Sequence, residues 1–299
     1  MHKDKKRRLH IGIQVSFAIF VALVIIGALV FVTQGREMPV LNPQGTIAHQ
    51  ERDLILITTG LGMLIVIPVF IMLSVIAWRY RASNKKAKYQ PQFDSHRGLE
   101  AVWWGVPVLF IIVLAVITVI STHALDPYKP LDSKVKPVSV QVIAMDWKWL
   151  FIYPEQNIAT VNYLNIPKET PINFTITSDA PMNAFWIPAL AGQVYAMAGM
   201  STKLHVMADG VGTYSGVSSN ISGDGFADMR FKVHSMNESD FASWAKEVSS
   251  SANELSAAGY ERLSVPSRDN QQAEYVLVDK NLYNRAIMKY MYPSGEMSN

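Results

Sequence analysis

The chain has 299 residues, of which 49% are hydrophobic and 17% charged; soluble domains carry about 25% charge, so disorder and a wholly soluble fold are both disfavoured. Net charge is +3, and the basic residues cluster beside apolar segments, so membrane topology explains them better than nucleic-acid binding. Cysteine is absent, which excludes disulfides, thiolate metal sites, cysteine nucleophiles and thioether lipid anchors.

Residues 11–33, 54–78 and 101–122 carry no charge. Each stretch is as long as the roughly 20 residues a helix needs to cross a bilayer. Hydrocarbon cannot satisfy an open backbone, so each is expected to be helical. Pro68 and Pro107 fall inside the second and third spans, where a kink is tolerated if neighbours satisfy the freed carbonyl. Lys3, Lys5, Lys6, Arg7 and Arg8 precede the first span. That leader suits a signal peptide or an anchor. The apolar run exceeds the roughly 7–15 residues of a signal core and no Ala-x-Ala site follows, so an uncleaved anchor is expected. The 79–99 connection holds Arg79, Arg81, Lys85, Lys86, Lys88 and Arg97 against Asp94. The 34–53 stretch has only Arg36 and Arg52 as basic residues. Basic loops stay cytoplasmic, so the N-terminus and 79–99 face inward and everything after His123 lies outside.

Pro127, Pro130 and Pro137 mark a linker away from the membrane. Beyond it the apolar pattern moves towards period two. Strands are expected at 138–144, 158–164, 172–177, 203–208, 213–217 and 229–233, separated by Pro, Gly, Asn or Asp. Short strands at that spacing predict a β-sandwich. Phe241, Trp244, Ala245 and Val248 then recur at helical spacing, with Ser239 as the expected N-cap. A second amphipathic stretch covers 281–291. Gly223-Asp224-Gly225 reads as a turn.

The motif Met145-Asp146-Trp147-Lys148-Trp149 and the run from Asp179 through Asn183 to Leu190 resemble segments of subunit II of the haem-copper respiratory oxidases. The 212–229 segment is similar to that family's copper loop. The resemblance implies two membrane helices, an external cupredoxin-like Greek-key β-sandwich and a C-terminal helical arm. In the cytochrome c-oxidising members, two histidines, two cysteines, a methionine and a glutamate carbonyl hold a dinuclear copper centre. Here the histidine positions are Asn183 and Phe226. The cysteine positions are Ser218 and Ser222, the glutamate position is Asn220, and only Met229 remains. Bridging thiolates suit copper and a neutral serine hydroxyl does not, so Met229 reads as sandwich packing. Loss of the copper port points to the quinol-oxidising branch, which resembles cytochrome bo-type ubiquinol oxidase subunit II. The runs 81–89, 151–162 and 195–200 fit that branch.

The resemblance implies a chain with no cofactor or catalytic residue of its own. Haems and copper are expected in a partner subunit I, with ubiquinol as the substrate of the complex. Subunit I, other small membrane subunits and lipid are the expected partners; nucleic acid and cytochrome c are not. Glu100 opens the third span. Family position implies a proton entrance from the cytoplasm, while a helix-start carboxylate explains it without function. Trp147 and Trp149 would share one strand face and are candidate contacts to subunit I. Trp103 and Trp104 fit an aromatic belt. His2, His10, His49, His96, His123, His205 and His234 form no HxH or HxxxH pair. The expected organisation is 1–33 leader and first span, 34–123 transmembrane hairpin, 124–235 copper-free sandwich and 236–299 arm. It would sit in a bacterial inner membrane with the large domain periplasmic. A membrane-tethered cupredoxin-like module for binding or assembly is the alternative.

Overall fold

The computed structural model describes residues 27, 38–87, 93 and 95–291. The expected first span lies outside them apart from Gly27. The chain forms two compact units, 1–42 and 43–299. In the first, Leu41 and Asn42 both turn back to donate to the Met38 carbonyl at 2.9 Å.

The second unit opens with two helices, α1 (Thr46–Arg79) and α2 (Arg97–Ala124). Both are long and apolar enough to cross a membrane. Pro68 lies within α1 and Pro107 within α2. Among the described residues α2 buries no side chain and α1 buries only Ala48. Side chains so apolar and so open need lipid or a protein partner around them. α1 also extends two turns beyond the uncharged run. There its start docks on the β-strand domain that follows. Gln44 N donates to Ala189 O at 2.7 Å and Ala48 N to Leu190 O at 3.1 Å. His49 Nε2 lies 2.9 Å from Asp209 Oδ2. The reading from charge alone ended this helix at Glu51-Arg52-Asp53 because those residues meet water and protein, not lipid.

Twelve strands follow: β1 (Val138–Met145), β2 (Lys148–Tyr153), β3 (Ile158–Val161), β4 (Tyr163–Pro167), β5 (Ile172–Ser178), β6 (Asn183–Trp186), β7 (Val194–Ala196), β8 (Thr202–Val206), β9 (Gly212–Ser218), β10 (Arg230–Met236), β11 (Glu254–Leu255) and β12 (Ala273–Leu277). One sheet runs β11-β12-β3-β2-β1-β5-β8 and the other β4-β10-β9-β6-β7. β1 pairs in parallel with β5, and β4 with β10. Together they make the expected cupredoxin-like sandwich. Among the described residues, three helices belong to the arm: α3 (Glu238–Ser249), α4 (Ala257–Ser264) and α5 (Leu282–Met291).

The larger sheet is buried on both faces. Val140, Val142, Trp149, Phe151 and Tyr153 face the smaller sheet. Ile143, Met145, Leu150 and Ile152 face Leu255, Tyr260, Leu282 and Tyr283 of the arm. A sheet covered on both sides reads as a continuous apolar run, not as an alternation. Strand β2 is therefore buried at every position, and period two could not reveal it. The 158–164 strand is two strands, broken at Asn162, whose φ of 58° reverses the chain.

The sandwich interior is a nest of rings. Phe185 stacks on Phe231 at 5.2 Å, and Trp149 meets Phe185 edge-on at 5.3 Å. Phe231 pairs across the strands with Gly216. A Cβ at Gly216 would fall inside the Phe231 ring. Gly216→Ala must displace that ring from a close-packed core. It is expected to cost about 1–3 kcal/mol, read as a lower thermal midpoint of the assembled protein.

The helix at 238–249 is capped two residues before the expected position. Asn237, extended at φ −67° and ψ 157°, is its N-cap. The Phe241 N–H donates to the Asn237 carbonyl at 3.0 Å. Ser239 lies within the first turn, so it is not the cap.

Candidate functional site

Three loops at one end of the sandwich bring the matched positions together. They are the β1–β2 turn, the β5–β6 loop and the β9–β10 loop. The β1–β2 hairpin closes through Asp146 and Trp147 alone, since Met145 pairs with Lys148. Trp147 takes φ 61°, a conformation that costs a non-glycine residue about 1 kcal/mol. That reversal ends the strand alternation. Trp147 therefore leaves the sheet and lies over the β9–β10 loop. Its Nε1 donates to Ser222 O at 3.3 Å. A Cβ at Gly225 would collide with the indole, so the loop passes under the ring only as glycine. Gly223, at φ 110°, makes the turn expected there. Arg268 of the arm lies over the Trp147 ring at 5.4 Å and pairs with Asp224 at 2.9 Å.

Trp149 does not share this position. It is wholly buried in the aromatic core. The expectation that both tryptophans face a partner is corrected: Trp149 has no exposed surface to offer, and only half-buried Trp147 remains a candidate contact.

Asn183, Ser218 and Asn220 are joined through hydrogen bonds. Ser218 Oγ donates to Asn183 Oδ1 at 3.0 Å and lies 3.2 Å from Asn220 O. Asn183 Nδ2 donates to Pro181 O and Asn220 Nδ2 to Met182 O, both at 2.8 Å. Ser218 N reaches Met229 O at 3.3 Å. Met229 itself is buried in the core. Phe226 opens a short 3-10 turn, Phe226–Asp228, and is half-buried. Ser222 joins the group only through its carbonyl under Trp147. Its Oγ makes no hydrogen bond. These side chains are amides, hydroxyls, a phenyl ring and one thioether. Neither bridging thiolates nor imidazoles are among them, so the donor set does not fit a dinuclear copper centre. The two asparagines and Ser218 instead bond one another and the backbone, which holds the loops shut.

Glu100 sits in the first turn of α2 and is half-buried. Its Oε1 accepts from His96 N at 3.0 Å, and His96 Nδ1 accepts from Leu99 N at 3.2 Å. The pair caps the helix reciprocally, as a capping box does. Of the other histidines in the described residues, His123 meets the Val119 carbonyl at 2.8 Å and His234 meets Thr213 at 3.0 Å.

Two buried charges that were not singled out bind the arm to the sandwich. Lys148 Nζ donates to Leu263 O at 2.7 Å, Val265 O at 2.8 Å and Ser267 Oγ at 2.6 Å. It caps the C-terminus of α4, where carbonyls concentrate negative charge. Burial lowers its pKa, and Asp146 offsets this only in part. Asp179, at the end of β5, accepts from Tyr260 at 2.7 Å, Lys289 at 2.7 Å and Tyr290 at 2.8 Å. Both residues lie in motifs already quoted. Nothing local distinguishes them, because their partners come from the distant arm.

The model of the cytochrome c oxidase subunit II periplasmic domain matches residues 154–236, and that of the COX aromatic-rich motif matches 250–294. The cytochrome bo(3) ubiquinol oxidase subunit 2 of Pseudomonas putida is 50% identical over 86% of this chain and 82% of its own length. The chain belongs to the ubiquinol oxidase subunit 2 family. The ubiquinol oxidase subunit 2 of Acetobacter aceti is 45% identical over 86% of this chain and 84% of its own. The quinol oxidase subunit 2 of Bacillus subtilis (strain 168) is 39% identical over 88% and 80% respectively. The residues matched by the aromatic-rich motif include Tyr260, Lys289 and Tyr290, the three side chains that close on Asp179.

Proposed function

We propose that the chain is the second subunit of an oxidoreductase complex that oxidises ubiquinol and reduces oxygen to water with proton translocation. The observation that carries this reading is the donor set at Asn183, Ser218, Ser222 and Phe226, in a chain related to quinol oxidase subunits. A sandwich without thiolates offers no copper port to a soluble electron donor such as cytochrome c. Haems and copper belong to subunit I in this reading, and this chain holds no redox group.

The chain's own tasks follow from its shape. The apolar hairpin α1–α2 packs on subunit I within the inner membrane. The sandwich covers the periplasmic face, with half-buried Trp147 and exposed Arg268 as candidates for the contact. Glu100, beside the basic 79–99 connection, presents a carboxylate on the cytoplasmic side, from which protons would pass into subunit I. The expected division remains 1–33, 34–123, 124–235 and 236–299.

Purification of the complex through a tag on this chain tests the proposal. A haem-bearing partner should copurify, and the complex should oxidise ubiquinol but not reduced cytochrome c. No near-infrared mixed-valence copper band should appear. Such a band, or turnover with cytochrome c, would overturn the reading. Recovery of the chain alone from cells with active quinol oxidase would favour the tethered assembly module.

A further inference from the structure

A pocket of about 690 Å³ opens at the free edge of the smaller sheet, and none of the altered copper positions lines it. Asn165 of β4 and His234 of β10 line it side by side, since they pair across the two strands. Half-buried Tyr163, Trp244 and Tyr275 bring three aromatic rings, and exposed Asn253 and Gln272 stand at the mouth. The Tyr163 hydroxyl donates to Glu274 Oε2 at 2.6 Å, and its ring meets Trp244 edge-on at 6.3 Å. Such a volume lies within the roughly 300–1,000 Å³ of pockets that take small ligands.

Asn165 is the group the fold leaves unexplained. It is 6% exposed, and its Oδ1 is buried with no hydrogen-bond partner. A buried amide oxygen left bare costs free energy unless something meets it. Its main chain, by contrast, is satisfied. The Asn165 N–H donates to the Tyr153 hydroxyl at 3.0 Å, and that hydroxyl donates to the Asn165 carbonyl at 2.9 Å. Thr160 Oγ1 donates to the Tyr163 carbonyl at 2.5 Å. These bonds close the outer edge of β4, so an added peptide strand finds no open ladder there. Among the lining residues there is no lysine or arginine, and the one carboxylate, Glu274, is already engaged. Neither an anion nor a cation has a free counter-charge to meet. Burial, and then Lys232, lower the His234 pKa, so its ring adds a neutral polar group. The pocket suits an uncharged molecule with many hydrogen-bonding groups and an apolar face.

We propose that this pocket binds a neutral sugar carrying an acetamido group, of the N-acetylhexosamine class. An acetamido group presents one N–H and one carbonyl. The Asn165 amide, whose two ends a half-turn of the side chain exchanges, presents the complement. The C–H face of the sugar would lie against the rings of Tyr163, Trp244 and Tyr275. Its hydroxyls would meet Asn253, Gln272 and His234. A sugar with a hydroxyl in place of the acetamido group can meet only one end of the Asn165 amide. With the sandwich on the outer side of the membrane, the glycan strands of the cell wall and free N-acetylated oligosaccharides are the two sources of this chemistry.

The test uses the intact complex in a detergent without a sugar headgroup. Saturation-transfer NMR should show N,N′-diacetylchitobiose binding at about millimolar concentration or below. Cellobiose, which has hydroxyls where chitobiose has acetamido groups, should bind at least about tenfold more weakly. Asn165→Leu replaces the bare amide by an apolar group of similar size. It should lose at least about tenfold in affinity while the thermal midpoint holds or rises. The Asn253→Ala, Gln272→Ala pair changes only exposed side chains and should lose about fivefold. Chitobiose with a diazirine on its acetyl group should label 163–165 or 272–275. Sedimentation of the complex with purified cell-wall sacculi, blocked by excess chitobiose, assigns the site to wall glycan; binding of the soluble sugar without sedimentation assigns it to free saccharide. No transfer at about 10 mM chitobiose, equal affinity for cellobiose, or labelling confined to other segments would each overturn the site. So would wild-type affinity in Asn165→Leu or, should that variant not assemble, in the exposed pair. Quinol oxidation is read separately. A complex that keeps haem and turnover but binds no chitobiose refutes this inference alone and leaves the proposed function standing.

Discussion

Glu100→Gln is expected to slow quinol-oxidase turnover by at least about tenfold, less than the roughly 10²–10⁴-fold of a group that transfers a proton in the chemical step, because Glu100 would feed a path and not touch the reacting atoms. The slow step should be reduction of the oxygen-binding site, followed by stopped-flow absorbance of the haems. The structure makes the comparison clean. Glu100 Oε1 accepts from His96 N, and the amide oxygen of glutamine can accept the same bond. The cap is then preserved, and stability should change by no more than about 0.5 kcal/mol. Haem content and assembly should stay at wild-type level. Glu100→Asp keeps the carboxylate but shortens its reach to His96. It should recover much of the activity while weakening the cap. If Glu100 serves only the helix start, the order reverses: Gln is near wild type and Asp is the weaker variant. Turnover normalised to haem separates the two, and a wild-type reduction rate in the Gln variant would end the proton role.

What the sequence disclosed follows from where each environment imposes a composition. Lipid tolerates no charge, so α1 and α2 were legible as runs. The two turns of α1 before the uncharged run were not, because there the helix rests on Ala189, Leu190 and Met207 backbone. Strands covered on one face, such as Gly212–Ser218 with its alternating burial, showed period two. Lys148–Tyr153, covered on both, did not. The short helix Ala257–Ser264 has too few turns to display a period. The altered copper positions were readable because they lie within one quoted run and one loop. The misplacement of Trp149 came from treating 147–149 as one strand. A left-handed turn at Trp147 separates the two rings, and no local residue announces it, since glycine or asparagine is the usual occupant of such a turn.

Asp179→Ala is expected to release the C-terminal arm, at a cost of about 3 kcal/mol. The Asp179 side chain is fully buried. Its three partners, Tyr260, Lys289 and Tyr290, stand 81, 110 and 111 residues away, so one carboxylate joins the sandwich to α4 and α5 of the arm. Removing it strands the buried Tyr260 hydroxyl. Lys289 is half exposed and screened by water, so its share is the smaller one. Burial alone would lower the Lys289 pKa, but the bond and charge of Asp179 raise it above 10.5 on balance. A raised lysine pKa contributes stability that is complete below about pH 10 and is lost as pH climbs through the raised value. Burial and then Asp179 likewise raise the Tyr260 hydroxyl, so the clamp is built for neutral pH with both hydroxyls protonated and the lysine charged. Trypsin reports the outcome in the assembled complex, since Arg262, Arg268 and Arg285 all lie in the arm. Opening that is about 3 kcal/mol easier should raise cleavage there roughly 100-fold. Lys148→Met removes the donor from Leu263 O and Val265 O and should raise it less, at the α4 end first. Cleavage of the Asp179→Ala arm at the wild-type rate would mean that the apolar contacts of Leu255, Leu282 and Tyr283 hold the arm without the buried charge.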